Sequence, residues 1–233
     1  MLTITDFSIG NEEKICLVSI GRIHPGESNG SYVVEGFLKY VLSEDAREMR
    51  KHVVFKVIPM VNPDGVIFGN YRTSLSGKDL NRMFRAKNVE LIPEVYELKS
   101  FIKKLKYEHK FKVTYFLDFH GHSLKKNVFF YGPEYDIWSV KYDKAKILPK
   151  ILSTRTEMFR MKSCLFKVAS VKKSTARAFM LAYIPYCYTV ESSLGIYKDS
   201  KNLDHPFTIK KWKEVGYKIG ESFTEIVVKL VEV

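Results

Sequence analysis

The sequence predicts an α/β fold, a mixed and mainly parallel twisted sheet flanked by helices. Short β-branched apolar runs alternate with stretches whose apolar residues recur at helical spacing. No internal repeat or linker interrupts that alternation, so residues 1–233 read as one domain. Chemically selective polar residues also fall just past three of the strand-like runs, where open α/β sheets place their sites.

Residues 15–20, Ile-Cys-Leu-Val-Ser-Ile, make the first strand, bounded by charge on one side and Gly21 on the other. A bend follows, Arg22-Ile23-His24-Pro25-Gly26-Glu27-Ser28. Pro25 and Gly26 forbid a regular helix there, so a curled loop has to aim His24 and Glu27 at one point. Over 32–42, Val33, Val34, Phe37, Leu38, Val41 and Leu42 recur at helical spacing, with Ser28 or Asn29 as the expected cap. Residues 53–58 form a second strand, ended by Pro59.

Residues 62–88 show little periodicity but many glycines, arginines and asparagines. So long an unpatterned stretch inside a compact domain points to function. Helical spacing returns over 93–106, with Leu98, Phe101, Ile102 and Leu105 on one face and Pro93 in the first turn. Residues 113–119 and 128–131 read as a third strand and a short fourth. Residues 144–159 look helical with an interruption at Pro149, and 186–191 make a further strand. The chain ends on an amphipathic helix whose buried stripe is Trp212, Val215, Ile219, Phe223, Ile226, Val227 and Leu230.

Composition narrows the function. At 45% hydrophobic the chain can bury a sizeable core, yet no run of eighteen apolar residues spans a membrane. Three scattered cysteines, Cys16, Cys164 and Cys187, argue against a disulfide framework and for a reducing, cytoplasmic setting. The net charge of +12 fits a solvated lysine surface, and it would equally draw an acidic peptide or nucleic acid, between which charge alone does not choose.

Three strands end in polar chemistry: His24 with Glu27, then His120, then Glu191. By itself each has an ordinary structural explanation, a surface pair, a hydrogen-bonded imidazole or a solvated strand-end glutamate. Together, two imidazoles and a carboxylate make a set suited to catalytic Zn²⁺ with one position left for water. Glu191 then reads as a general base. His122 competes with His120, because alternate strand residues face the same way and spacing does not separate them.

Seven ordered blocks carry a resemblance. They are His24-Pro-Gly-Glu27, Asn62-Pro-Asp-Gly-Val66, Gly69-Asn-Tyr-Arg72, Gly77-Lys-Asp-Leu-Asn81-Arg82, Asp118-Phe-His120-Gly-His122-Ser123, Phe130-Tyr-Gly132 and Thr189-Val-Glu191. In this order they resemble the zinc metallocarboxypeptidases. The His-Pro-Gly-Glu and His-Gly-His-Ser forms are similar to the cytosolic carboxypeptidase subfamily, which removes glutamates from tubulin tails. The resemblance implies one Zn²⁺ per chain on His24, Glu27 and His120, with Glu191 as general base and His122 as a pocket residue. It further implies that Arg72 polarises the scissile carbonyl and that Asn81 and Arg82 hold the substrate's chain-end carboxylate. Asp79 matches the position that orients the first histidine. Ser174-Thr-Ala-Arg177 resembles the segment that puts a basic residue in the side-chain pocket, so Arg177 is the expected selector for glutamate or aspartate. Lys125, Lys126, Lys172 and Lys173 add attraction for an acidic tail or simply a solvated surface.

Two departures accompany the resemblance. Residues 164–179 hold no tyrosine where many secreted relatives carry one. The chain also opens at what looks like the second or third strand of the catalytic domain, without the usual β-rich domain ahead of it. A shortened domain with exposed sheet edges is expected. The expected function is therefore hydrolysis of C-terminal peptide bonds in acidic protein tails such as tubulin's, in the cytoplasm and near microtubules or cilia, with no membrane partner. A zinc deacylase of small N-acyl amino acids and an inactive basic binding module are the alternatives.

Overall fold

The computed structural model describes residues 1–11, 14–109, 111–169 and 172–231. Its main sheet runs β1 (Leu2–Ile4), β3 (Val53–Ile58), β2 (Ile15–Gly21), β4 (Val113–His122), β6 (Tyr186–Ser193) and β5 (Val128–Tyr131) in spatial order. The four central strands are parallel, and the two edge strands are antiparallel to their neighbours. The expected fold class is therefore present, with β1 an addition that three residues were too few to announce.

Period-two alternation sorts the strands' side chains onto two faces. Ile15, Leu17, Tyr115, Leu117, Phe119, Tyr188 and Val190 pack into one core. That core is closed by α1 (Ser28–Val41), α2 (Arg47–His52), α6 (Ile147–Arg155) and α8 (Ile209–Val231). Cys16, Val18, Ile20, Phe116 and Cys187 face the other way, under α4 (Pro93–Glu108) and α7 (Ala176–Met180). Burial on both faces explains why residues 15–20 read as a continuous apolar run instead of an alternating one. Asp118, His120, Thr189 and Glu191 follow the same alternation onto the second face, at the carboxyl ends of β4 and β6.

Helices α1 and α8 make the most extensive helix contact in the fold. At their crossing, a Cβ on Gly36 would collide with the Lys213 carbonyl, and one on Gly216 with the Val33 carbonyl. The two backbones touch because neither residue has a side chain. Trp212 adds a clamp, stacking on Tyr32 and Phe207 while its Nε1 donates to the Ser193 carbonyl at 3.1 Å.

Several boundaries differ from the sequence reading. Helix α1 starts at Ser28, with Glu27 at the cap position, so neither Ser28 nor Asn29 caps it. Asn29 is buried, and its amide donates to the Ser192 carbonyl and Oγ, a use that long-range packing dictates. Pro149 does not break a helix: α5 (Val140–Lys144) stops first, and Pro149 sits in the first turn of α6, where a missing N–H costs nothing. Residues 62–88 contain short α3 (Pro63–Ile67) and a 3₁₀ turn at Leu80–Arg82. The sheet edges are blunted, because β1 is three residues long and the outer edge of β5 bridges to Phe159 and Leu165. Strands β7 (Ile196–Lys198) and β8 (Asp204–Pro206) form a separate small hairpin.

Candidate active site

The loop after β2 turns sharply at Arg22, whose φ of 53° lies in the left-handed region. The Arg22 guanidinium holds the turn, Nε donating to the Pro25 carbonyl and Nη1 to Ser31 Oγ, each at 2.9 Å. Gly26 N donates to the Tyr71 carbonyl at 2.7 Å, and a Cβ at Gly26 would strike the Tyr71 ring. Ile23 is buried as an anchor. The curled Pro-Gly loop is thus pinned to the 62–73 segment, and both polar side chains turn inward.

His24 Nδ1 lies 2.8 Å from Glu27 Oε1, and His120 Nδ1 lies 2.9 Å from Glu27 Oε2. The backbone N–H of Gly121 also donates to Oε2, at 2.8 Å. Each imidazole's far nitrogen faces a second carboxylate: His24 Nε2 is 3.1 Å from Asp79 Oδ1, and His120 Nε2 is 2.8 Å from Asp118 Oδ2. The Asp118 contact is an ion pair with poor hydrogen-bond alignment, since neither Asp118 oxygen has a bonded partner. One ligand atom from each of His24, Glu27 and His120 lies within 4.8 Å of the others, and all three residues are buried.

Electrostatics follow from this packing. Burial opposes ionisation of Glu27, but the His120 and His24 imidazoles outweigh it and hold the carboxyl well below its usual range. At Asp79 burial also works against charge, yet His24, Arg72 and Arg82 bring it down to about 2. His120 is raised well above its ordinary value: desolvation opposes its charge, and Asp118 and Glu27 prevail. Such a group, two imidazole nitrogens converging with a carboxylate and each ring backed by a further carboxylate, fits a divalent metal ion that takes the place of the ring protons.

Glu191 stands beside His120 on the neighbouring strand, in direct register. Its Oε2 is buried without a hydrogen-bond partner, and burial pushes its carboxyl up to about 7, with Glu27 and Asp118 adding to the shift and the imidazoles opposing it. Arg72 Nε is fixed by Asp79 Oδ2 at 2.8 Å. Asn81 Oδ1 accepts from Ala176 N at 2.8 Å. Its amide nitrogen sits 3.3 Å from His120 Nε2, a hydrogen bond only while Nε2 lacks a proton. Arg82 Nη1 donates to the Asn81 carbonyl at 2.9 Å.

A cavity of about 430 Å³ gathers these groups. His24, Glu27, Arg72, Asn81, Arg82, His120, His122, Arg177 and Glu191 line it. Asp79 stands behind the wall, bonded to His24 and Arg72. The ten site residues expected from sequence are therefore all in or against one cleft. Geometry also separates the two histidines of β4: His122 Nδ1 accepts from the Leu124 and Lys125 amides and joins no metal-binding group among the described residues. Arg177 is 6% exposed, bonded to the Gly132 carbonyl, and has no carboxylate partner among the described residues. Lys172 also lines the cleft, where burial and the like charges of Arg82 and Arg72 lower its pKa. Lys173 does not line it.

Asp118 is the functional candidate that the sequence reading missed. Its signal was present in the Asp-Phe-His spacing, since a residue two before His120 on a strand shares its face. Thr189 carried the same signal, two residues before Glu191, whereas Tyr131 and Lys167 on the cavity wall had no comparable one.

Known proteins bear on this arrangement. The chain is 41% identical over 97% of its length to cytosolic carboxypeptidase 2 of Macaca fascicularis, of which it covers 27%. It is 40% identical over 84% of its length to cytosolic carboxypeptidase 1 of Gallus gallus, of which it covers 17%. The chain thus spans about a quarter of these relatives' length or less. Its backbone is similar to a metallo-carboxypeptidase crystal structure from Burkholderia cenocepacia, with a TM-score of 0.81, 23% identity, and coverage of 98% of this chain and 60% of that one. No helix among the described residues is long and apolar enough to cross a membrane. A family model described as zinc carboxypeptidase matches residues 1–175, most of the 233, and the chain belongs to that family.

Proposed function

We propose that this chain carries the catalytic centre of a zinc-dependent carboxypeptidase that removes acidic residues from the C-terminal tails of proteins. Tubulin tails in the cytoplasm, at microtubules or cilia, are the expected substrate, in keeping with the likeness to cytosolic carboxypeptidases. His24 Nδ1, Glu27 and His120 Nδ1 would hold the metal, with Asp79 and Asp118 fixing the two rings from behind. Bound zinc supplies a Lewis acid that polarises the scissile carbonyl and makes water more acidic.

The chain's own groups do the rest. Arg72, tethered through Nε, keeps its two terminal nitrogens for the oxyanion that forms at the scissile carbon. Arg82 and the Asn81 amide grip the chain-end carboxylate, which restricts cleavage to the last residue. Glu191 takes a proton from the attacking water as the C–O bond forms. It gives that proton to the leaving amine as the C–N bond breaks, releasing one amino acid and a chain shorter by one. A carboxyl poised near 7 suits both halves of that cycle.

The observation that carries acidic specificity is Arg177. A guanidinium buried in the cleft wall with only carbonyl partners is an uncompensated charge, and a glutamate or aspartate side chain completes it. The test is zinc-loaded protein incubated with a peptide ending in glutamates and a matched peptide ending in leucine. Free glutamate is expected, abolished by a chelator. Arg177→Met should cut kcat/KM on the acidic peptide about a hundredfold, with Arg177→Lys recovering part of it. Protein holding one zinc yet releasing no glutamate, or Arg177→Met keeping its preference, overturns the reading.

A further inference from the structure

A second concavity of about 610 Å³ lies outside the active-site cleft, between α4, the 84–87 segment and the residues around α7. Four cations line it, Arg85, Lys87, Lys99 and Lys103, and among the described residues no carboxylate does. None of the four takes part in an ion pair among the described residues. Lys99 is the most enclosed: its Nζ donates to the Ala86 carbonyl at 3.0 Å, and burial together with Lys103 lowers its pKa. Arg85, Lys87 and Lys103 are exposed. Unpaired like charges gathered in a groove repel one another, and an anion relieves them.

We propose that this groove binds an acidic polypeptide segment, at a site separate from the catalytic cleft. The cations come from two chain segments, Lys99 and Lys103 one turn apart on α4, and Arg85 with Lys87 on the loop. An extended peptide projects successive side chains in opposite directions, so neighbouring carboxylates reach both sets. Single-stranded nucleic acid would need free aromatic faces as well as charge. Here Phe84 is wholly buried, Phe179 packs between Phe84 and Tyr183, and Lys99 Nζ sits 5.4 Å above the Phe179 ring. Those rings form the floor; Tyr96, which also lines the groove, is 45% exposed, and one free ring does not stack successive bases, so the cations do the recognition. Phe84 and Phe179 of the groove lie two residues along the chain from Arg82 and Arg177 of the cleft.

The probe is a fluorescent twelve-residue glutamate peptide with an amidated C-terminus, which removes the carboxylate that the catalytic cleft would grip. Binding is measured by anisotropy at low and moderate salt on the full chain. Salt-sensitive binding to the native protein is expected, weakened at least thirtyfold by combined Arg85→Glu, Lys87→Glu and Lys103→Glu, all at exposed positions. Lys87→Gln with Lys103→Gln should give an intermediate loss. Thermal melting and zinc content, unchanged in both variants, separate loss of this groove from loss of the fold or the metal. No binding by the native chain, equal binding by the charge-reversed variant, or tighter groove-dependent binding of a twelve-nucleotide DNA overturns the proposal. A chain that binds the peptide but hydrolyses nothing would overturn the proposed enzymatic function and leave this one standing.

Discussion

Replacing Glu191 with glutamine should make the metal-free protein more stable while removing its activity. The native carboxyl titrates at about 7 against an ordinary 4.5, because burial disfavours its charge. Its folded form therefore holds the proton more tightly than its unfolded form. The stabilisation is complete below about 4.5 and is lost as pH rises through about 7. The gap of 2.5 pH units, at about 1.4 kcal/mol each, sets a ceiling of about 3.5 kcal/mol above pH 8. Between pH 5 and 8.5 the change is about 2 kcal/mol once residual solvent contact is discounted. Urea unfolding of chelator-treated native and Glu191→Gln protein at those two pH values reads the effect of Glu191 together with its coupling to Glu27, Asp118 and the two imidazoles. The variant's relative stability should rise by that amount at the higher pH. In zinc-loaded protein the same substitution should lower kcat by about 10²–10⁴, the usual scale for losing a positioned base. A stability difference that stays the same at both pH values would refute the reasoning that Glu191 is strained by burial.

Three further outcomes follow from the same geometry. Asp79→Asn leaves His24 without its orienting carboxylate and Arg72 without its tether, so zinc affinity measured by chelator competition should fall 10–100-fold; unchanged affinity would assign Asp79 to the loop alone. The raised pKa of His120 means that zinc must displace a proton near neutrality, so apparent affinity should rise with pH and the calorimetric heat should depend on the buffer's ionisation enthalpy; a buffer-independent heat would contradict this. Gly216→Ala forces a methyl into the Val33 carbonyl at the α1–α8 crossing and should cost about 1–3 kcal/mol, read as a lowered melting temperature. A melting temperature equal to the native value would show that the helices can part without penalty.

Much of this architecture was legible because burial writes itself into the chain. Residues 15–20 are apolar but for Ser19 since both sheet faces are covered, and the α8 stripe repeats at helical spacing since only one side meets the core. The site residues stood out through residue type in ordered blocks, and the cleft gathers them. What escaped has non-local causes. Asn29 is an ordinary polar residue until β6, more than 160 positions away, supplies its partners. Pro149 reads as a breaker unless the stop of α5 before it is known. The choice between His120 and His122 turns on where Glu27 sits, and alternation along one strand carries no such information.

Helix α8 contributes no atom to the cleft, yet it presses on α1, whose leading end carries Glu27. The proposed metal ligand Glu27 is therefore joined, through α1, to a seam on the opposite face of the sheet. Wedging that seam apart would disturb the proposed metal site without touching the catalytic mouth. Zinc retention can then serve as a gauge of whether the far side of the molecule is intact.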